Sequence, residues 1–438
     1  MKMGLSVLRR VAGGAWFSRS AGFRTHCSLS GRICALPWLM LPPVFDDSGK
    51  VAFKFHGLGN GNGNREAIGS EKLGKLDKVY FAGSSHGWLA VHNWANRELF
   101  LLNPTTGRQI QLPSVRAEGC ISRLALSCSP DDDDDCRAMI VFGRERRLAF
   151  CVPGRSTEWT PIGGGSGGRG ERKYDDVAYS STYKRFLCIT TETGLTGGSV
   201  EVGGFRFTTK LEGGFSEVEG WDITHIREPR IDWRLQNNDQ LLFDYEDYPW
   251  PARSEEEAGL KRDCWHTKYI LVHDHDLFVV VRHVNPRLRE GYIGEGVSTN
   301  ALYISKYRGW DASHPYKTFD FDVYKIDWRG SGDVMYMKCS LEGLVMFVGN
   351  NHSFALSSSS SSELKPNCIY FTDENSLMRK SRSFVDNEFG GHDNGIFDYK
   401  NNTFSTCCGN CPLKPMEYNN IKRIDPPPMW FAPPTLAQ

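Results

Sequence analysis

The run Gly83-Ser84-Ser85-His86-Gly87 fits G-x-S-x-G, the spacing with which a strained strand-to-helix turn exposes a nucleophilic serine. The next residues, WLAVHN from Trp88 to Asn93, predict a strand where such an elbow needs a helix. The glycines are therefore read as turn residues and Trp88 as a core aromatic, and a hydrolase using Ser85 is kept only as the last of three readings of function. His273-Asp274-His275-Asp276 offers imidazole and carboxylate, good ligands for zinc or iron. Consecutive residues between the runs YILV and LFVVV alternate in direction, so at most two of the four face one ion, and a polar hairpin turn is expected, with His283 the sole nearby addition.

Cys407-Cys408-Gly409-Asn410-Cys411 contains one C-x-x-C, but structural zinc takes four ligands; only His392 stands by as a further one, and ordinary cysteines are expected. The stretch from Gly57 to Asn64 (GLGNGNGN) misses the last glycine of a dinucleotide-binding turn and reads as a loop. Arg144, Arg146 and Arg147 are interrupted by Glu145 in a turn. No catalytic, cofactor-binding or metal-ligating residue is assigned on these grounds, and no cofactor is expected.

The elements that would have to position any such residue are short apolar runs. KVYFAG, GWLAVHN, ELFLLNP, AMIVFG, RLAFCV, DDVAYS, FLCITT, KYILVH, DLFVVVRH, FDVYKIDW, GLVMFVG and CIYFTD are rich in Val, Ile, Phe and Tyr and are broken by turn residues. Their spacing of roughly ten residues predicts an all-β fold. A single sandwich seldom absorbs this much chain, whereas four-stranded blades of about 40–50 residues do, so a β-propeller-like array of six to eight blades is expected over residues 76–415. The charged and Gly- or Ser-rich interruptions at 131–135, 163–170, 254–261 and 357–362 are read as solvated loops.

Of the 438 residues 40% are hydrophobic, with 25 Phe, 16 Tyr and 12 Trp, enough to build a core and exclude wholesale disorder. The formal net charge of zero hides an asymmetry: Lys2, Arg9, Arg10, Arg19, Arg24 and Arg32 meet no acid before Asp46. Without these six, the rest holds 46 basic against 52 acidic residues, which gives nucleic-acid binding no electrostatic footprint. The Arg- and Ser-rich leader, 1–34, predicts an organellar transit peptide, mitochondrial in preference to plastid, with a cytosolic or nuclear protein as the alternative. No window is long and apolar enough for a membrane span; the best, Ile33 to Phe45, carries Pro37, Pro42 and Pro43. Most of the 13 cysteines sit singly in apolar runs, as Cys151 and Cys188 do, and are expected to behave as small hydrophobes.

The segment GSSHGWLAVHNWANRELFLLNPTTGRQIQLP, Gly83 to Pro113, resembles the first signature of the plant F-box-associated KIB-type β-propeller domain, long known as a domain of unknown function. Further likenesses come in the family's order: LPWLMLPP (Leu36 to Pro43), YDDV (Tyr174 to Val177), YILVHDHDLFVVVR (Tyr269 to Arg282), VYKID (Val323 to Asp327), LVMFVGNNHSFALS (Leu344 to Ser357), PNCIYFTDEN (Pro366 to Asn375) and PPPMWFAPP (Pro426 to Pro434). The resemblance implies a propeller over 76–415, a Pro/Gly-rich junction over 35–75 and a tail over 416–438 that closes on it. Many members carry an F-box before the segment matching LPWLMLPP; here the basic leader stands in that place. The chain therefore resembles the organelle-directed branch without an F-box, which speaks against a ubiquitin-ligase adaptor as partner. Two readings stand beside the hydrolase: an organellar, non-enzymatic interaction scaffold with an unknown protein partner, and a ubiquitin-ligase substrate receptor whose F-box lies outside this sequence.

Overall fold

The computed structural model describes residues 36–45, 51–58, 64–67, 79–93, 97–115, 121–133, 135–162, 173–191, 200–209, 216–226, 257, 260–261, 264–285, 316–326, 334–337, 339–374, 390–406, 424 and 426–432. The leader, residues 1–34, lies outside them. Among the described residues helix is confined to a single turn, Ser358–Ser360, and to Glu257, Leu260 and Lys261. Everything else that is regular is strand, as the alternating and β-branched runs demand. No helix among the described residues is long and apolar enough to cross a membrane.

The strands form antiparallel blades. Blade 1 holds β5 (Val79–Ser85), β6 (Trp88–Asn93), β7 (Glu98–Leu102) and β8 (Gln109–Leu112); blade 2 holds β9 (Ile121–Leu126), β10 (Ala138–Phe142), β11 (Arg147–Cys151) and β12 (Thr160–Ile162). Blade 3 holds β13 (Tyr174–Ser180), β14 (Arg185–Thr191), β15 (Val200–Thr209) and β16 (Ser216–Ile226); blade 4 holds β17 (Trp265–His273), β18 (Asp276–Asn285), β19 (Lys317–Ile326) and β20 (Val334–Tyr336). Blade 5 is built from β21 (Leu344–Val348), β22 (Phe354–Ser357), β23 (Cys368–Phe371), β24 (Gly395–Asp398) and β25 (Thr403–Ser405), in the order β22-β21-β23-β24-β25 with β21 and β23 parallel. A closing sheet joins β1 (Trp38–Met40), β2 (Val44–Phe45), β3 (Val51–Gly57) and β4 (Asn64–Ala67) to β26 (Met429–Phe431) from the other end of the chain. Its register is Trp38 opposite Phe431 and Met40 opposite Met429.

Among the described residues of 76–415 the strands make five blades, where six to eight were expected. The spacing estimate failed because strand length is uneven: β15, β16, β18 and β19 run to ten or eleven residues.

Each blade buries both faces, since it is sandwiched between its neighbours. In β18 Leu277, Val279 and Val281 pack toward blade 3 while Phe278 and Val280 pack toward blade 5, so the strand reads as an unbroken apolar run. Trp88, fully buried, fills the interface of blades 1 and 2 with Leu101, Leu124 and Ile140. Blade 1 meets the closing sheet through Phe81 and Leu89 against Phe53 and Phe431, and blade 5 meets it through Phe347 and Tyr370 against Trp430. The first strands of successive blades touch in turn, β5 with β9, β9 with β13 and β13 with β17; β22 lies against β17 and β26 against β5. These are the inner strands, and polar side chains concentrate on them.

Candidate functional site

Polar residues of the inner strands and of the strands and turns beside them form two groups. The first is ionic. Arg123, on β9 in the otherwise apolar run ISRLAL, directs its guanidinium between two carboxylates: Nε is 3.2 Å from Asp176 Oδ1 of blade 3, and Nη2 bonds Glu374 just beyond β23 of blade 5. Its cationic face lies 5.3 Å from the Tyr269 ring of blade 4. Asp176 Oδ2 accepts from the Ile270 amide at 2.9 Å. Arg282 of blade 4 continues the chain of contacts: Nη1 donates to the Tyr269 hydroxyl (3.3 Å) and to the Thr372 carbonyl (2.7 Å), and Nη2 to Asp393 Oδ2 (2.9 Å). Thr318 Oγ1 and its amide complete the shell of Asp393. Four blades are thereby joined by charge.

Burial opposes the charge on both arginines, yet the facing carboxylates outweigh it and hold them fully ionised. Burial also pushes Asp176 up to about 7, against the pull of Arg123. A second ionic knot lies within blade 4. Lys261 Nζ sits 2.9 Å from both Asp320 Oδ2 and Asp322 Oδ1, and His283 Nε2 is 2.7 Å from Asp322 Oδ2. Burial would raise Asp322, but Lys261 and His283 bring it down to about 2. Residues 254–261 were expected to be a solvated loop; Lys261 is instead 1% exposed and Glu257 7%. A lysine there is drawn inward because the two strand carboxylates of FDFD, once buried, require a cation between them.

The second group is neutral and contains the serine motif. Ser85 and Trp88 are paired across a two-residue hairpin turn, His86-Gly87, with φ of 49° and 80°. Positive φ at both central positions is the geometry that matches strand twist, so the motif is a hairpin and not an elbow. Gly83, expected in a turn, lies instead at a bulge in β5, where a Cβ would meet the Asn350 carbonyl oxygen at 2.9 Å. Ser85 Oγ accepts from the Leu126 amide at 3.1 Å and lies 3.2 Å from His352 Nδ1. His352 Nε2 accepts from the Tyr179 amide at 3.4 Å. A neutral imidazole that accepts at Nε2 carries its hydrogen on Nδ1, so the ring donates to Ser85 and cannot take its proton. Burial keeps the ring neutral, lowering His352 to about 3 and, despite a backbone hydrogen bond, His86 to about 4. The chain around His352 also ties blade 5 to blade 1, since the His352 amide donates to the Ser84 carbonyl and Asn350 Nδ2 to the Phe81 carbonyl, both at 2.8 Å.

The remaining motifs separate. Asp274 and His275 form the tight turn between β17 and β18, exposed and with Asp274 at φ 51°. His283 lies at the far end of β18, about 20 Å along the strand, and not beside the turn. His392 stacks on Tyr316 at 4.7 Å with Nε2 2.8 Å from the Tyr316 carbonyl oxygen; Cys407, Cys408 and Cys411 lie outside the described residues. Among the described residues no three His, Cys, Asp or Glu side chains gather as a metal site. Arg146 bonds Asp175 of blade 3, and Arg147 lies 5.8 Å over Phe142. Asn103 Oδ1 caps its own turn, accepting from the Thr105 and Thr106 amides at 3.0 and 3.1 Å. Of GLGNGNGN, residues 59–63 lie outside the described residues. Sequence reasoning missed Arg123, Asp176, Arg282, Asp393 and Glu374. The available signal was a lone charge inside an apolar strand run, as in ISRLAL and FVVVR.

The turns after β13, β17 and β20 meet in an exposed polar cluster. Thr182 Oγ1 donates to the Asp274 carbonyl (2.9 Å) and the Tyr183 hydroxyl to the His275 carbonyl (2.8 Å), while Lys325 Nζ is 2.8 Å from Asp276 Oδ2 and 3.0 Å from Glu342 Oε2.

Antiparallel blades closed by strands from both ends of the chain, around polar inner strands, define a β-propeller. The sequence model of the KIB1-4 beta-propeller family matches residues 63–398, and the chain belongs to that family. A propeller of this family suggests a role in protein interaction. No curated protein matches the chain. Among solved structures it is similar to puromycin hydrolase at 13% identity and TM-score 0.23, covering 59% of this chain and 35% of that one. It is also similar to the PQQ-bound aldose sugar dehydrogenase of Streptomyces coelicolor at 14% identity and TM-score 0.24, covering 60% and 81%. The chain spans about a third of the hydrolase, and overlays this loose place none of its residues in either enzyme's site.

Proposed function

We propose that this protein is a non-enzymatic, mitochondrial interaction scaffold that binds a protein partner through the turns at the rim of blades 3, 4 and 5. One observation supports the reading: Ser85, His352, Arg123, Asp176 and Lys261 are enclosed in the fold and engaged by neighbouring side chains or backbone, whereas Asp274, His275 and Glu342 are exposed. Mitochondrial residence is supported by the acid-free leader with its six basic residues.

The test is affinity purification of the full-length tagged protein with mass spectrometry of its partners and of its own N-terminus. The expected result is an N-terminus near residues 24–35 and organellar partners, lost in the variant Asp274→Lys/Lys325→Glu but retained in Arg144→Glu. An intact N-terminus with copurifying ubiquitin-ligase subunits would replace this reading by that of a substrate receptor.

A further inference from the structure

The hairpin between β9 and β10 carries an acidic turn, Asp131 to Asp135, closed at its base by two cysteines. Leu126 is paired with Ala138, and one step outward the Ser127 amide donates to the Arg137 carbonyl at 2.9 Å while the Arg137 amide donates to Ser127 Oγ at 2.8 Å. One backbone bond and one bond to the Ser127 hydroxyl thus hold residues 127 and 137 opposite each other, which places Cys128 and Cys136 opposite each other at the next, non-hydrogen-bonded step. Such pairs bring their Cα atoms to about 4.5 Å, with side chains close on one face. That separation falls inside the roughly 4.4–6.8 Å that disulfides span. The geometry brings the Cys136 thiol onto its partner residue: Cys136 Sγ donates to the Cys128 carbonyl oxygen at 3.2 Å.

The two cysteines differ in a way that assigns roles. Cys136 is 2% exposed and packed in the core of blades 1 and 2; Cys128 is only partly buried. The hydrogen bond from Cys136, helped by Ser127, lowers the Cys128 thiol despite burial and the nearby Asp133 and Asp132, and the same bond together with burial raises Cys136. An accessible thiol favoured as thiolate beside a buried partner is the arrangement that thiol–disulfide exchange uses.

We propose that Cys128 and Cys136 form a redox site in which a low-molecular-weight disulfide, of the class of oxidised glutathione, converts the pair to a cross-strand disulfide. The Cys128 thiolate attacks one sulfur of the oxidant, forming a mixed disulfide and releasing the other half as thiolate. Cys136 then gives up its proton and attacks Cys128 Sγ, forming the protein disulfide and expelling the second half. Two protein thiols are oxidised, one disulfide is reduced to two thiols, and atoms and electrons balance. Because Asp131 pairs with Arg108, and Ser129 Oγ accepts from Trp88 Nε1 at 3.3 Å, the crosslink clamps a turn already tied to blade 1.

The sequence supplies a direct readout, since the tryptic peptide Leu124 to Arg137 contains these two cysteines and no others. Full-length protein is held folded in glutathione buffers of increasing oxidised fraction, quenched in acid, alkylated and digested. The expected product is a peptide that takes up no alkyl group and has lost two hydrogens, in Cys136→Ser a peptide carrying one glutathione on Cys128, and in Cys128→Ser a Cys136 that remains a free thiol. A wild-type peptide alkylated at both cysteines in excess oxidised glutathione overturns the proposal, as does one in which the mixed disulfide on Cys128 persists with Cys136 free. Circular dichroism of each variant confirms that the thiols were presented by the folded chain.

Discussion

The buried pair Arg123–Asp176 and the rim pair Lys325–Asp276 use the same kinds of charge at similar distances, 3.2 and 2.8 Å, and do opposite jobs. The first pair is 5% and 1% exposed, the second 23% and 46%. In the low-dielectric interior a charge without its partner is costly, so the arginine has little freedom once folded and, with its bond to Glu374, pins blades 2, 3 and 5 together. At the rim water screens both ions, and the pair is worth about 0–1 kcal/mol. Burial, more than distance, separates the residues that hold the ring from those presented to solvent.

The largest effect that sharpens this contrast is Arg123→Met, which keeps most of the volume but leaves Asp176 and Glu374 without their cation. A loss of about 3–5 kcal/mol is expected in urea unfolding, and a loss below about 1 kcal/mol would mean that the network holds nothing. Next comes acid. The folded chain refuses protons at His86 and His352 down to about pH 4 and 3, while the unfolded chain accepts them near 6.5. Their contribution is therefore full above pH 6.5 and lost as the pH falls through that window. Asp176 works the other way, because its folded form keeps a proton up to about 7; lowering the pH toward 4 favours the folded state at that residue. Denaturation curves at about pH 7 and 4.5 are expected to show a loss in the wild type, a smaller loss in His352→Gln and a larger one in Asp176→Asn.

Ser85→Ala removes an acceptor shared by the Leu126 amide and His352, and a cost of about 1–3 kcal/mol is expected for the stranded donors. Alongside it, a fluorophosphonate probe is expected to leave Ser85 unlabelled, because the imidazole donates toward the serine. The smallest effect belongs to Lys325→Ala, within about 1 kcal/mol and weaker still in high salt.

Much of this architecture could be read from the chain itself. The β runs, the hairpin at Asp274–His275 and the core role of Trp88 come from period, turn chemistry and size. The blade number could not be read, because blade strands of three to eleven residues break the relation between chain length and repeats. Nor could the polar interior. Arg123 and Glu374 are 251 residues apart in sequence, and only closure of the ring brings them together. Ser85 shows the converse: its motif was visible, but the direction of its hydrogen bond with His352 depends on the Tyr179 amide from another blade.

The central claim is that buried polar groups hold the ring and rim polar groups bind. Partner capture by the full-length tagged protein, run in parallel with the folded variants Ser85→Ala and Asp274→Lys/Lys325→Glu, tests it most directly. The account predicts that Ser85→Ala captures the wild-type partner set and that the rim variant loses it at unchanged stability. Loss of partners with Ser85→Ala and their retention with the rim variant would contradict it.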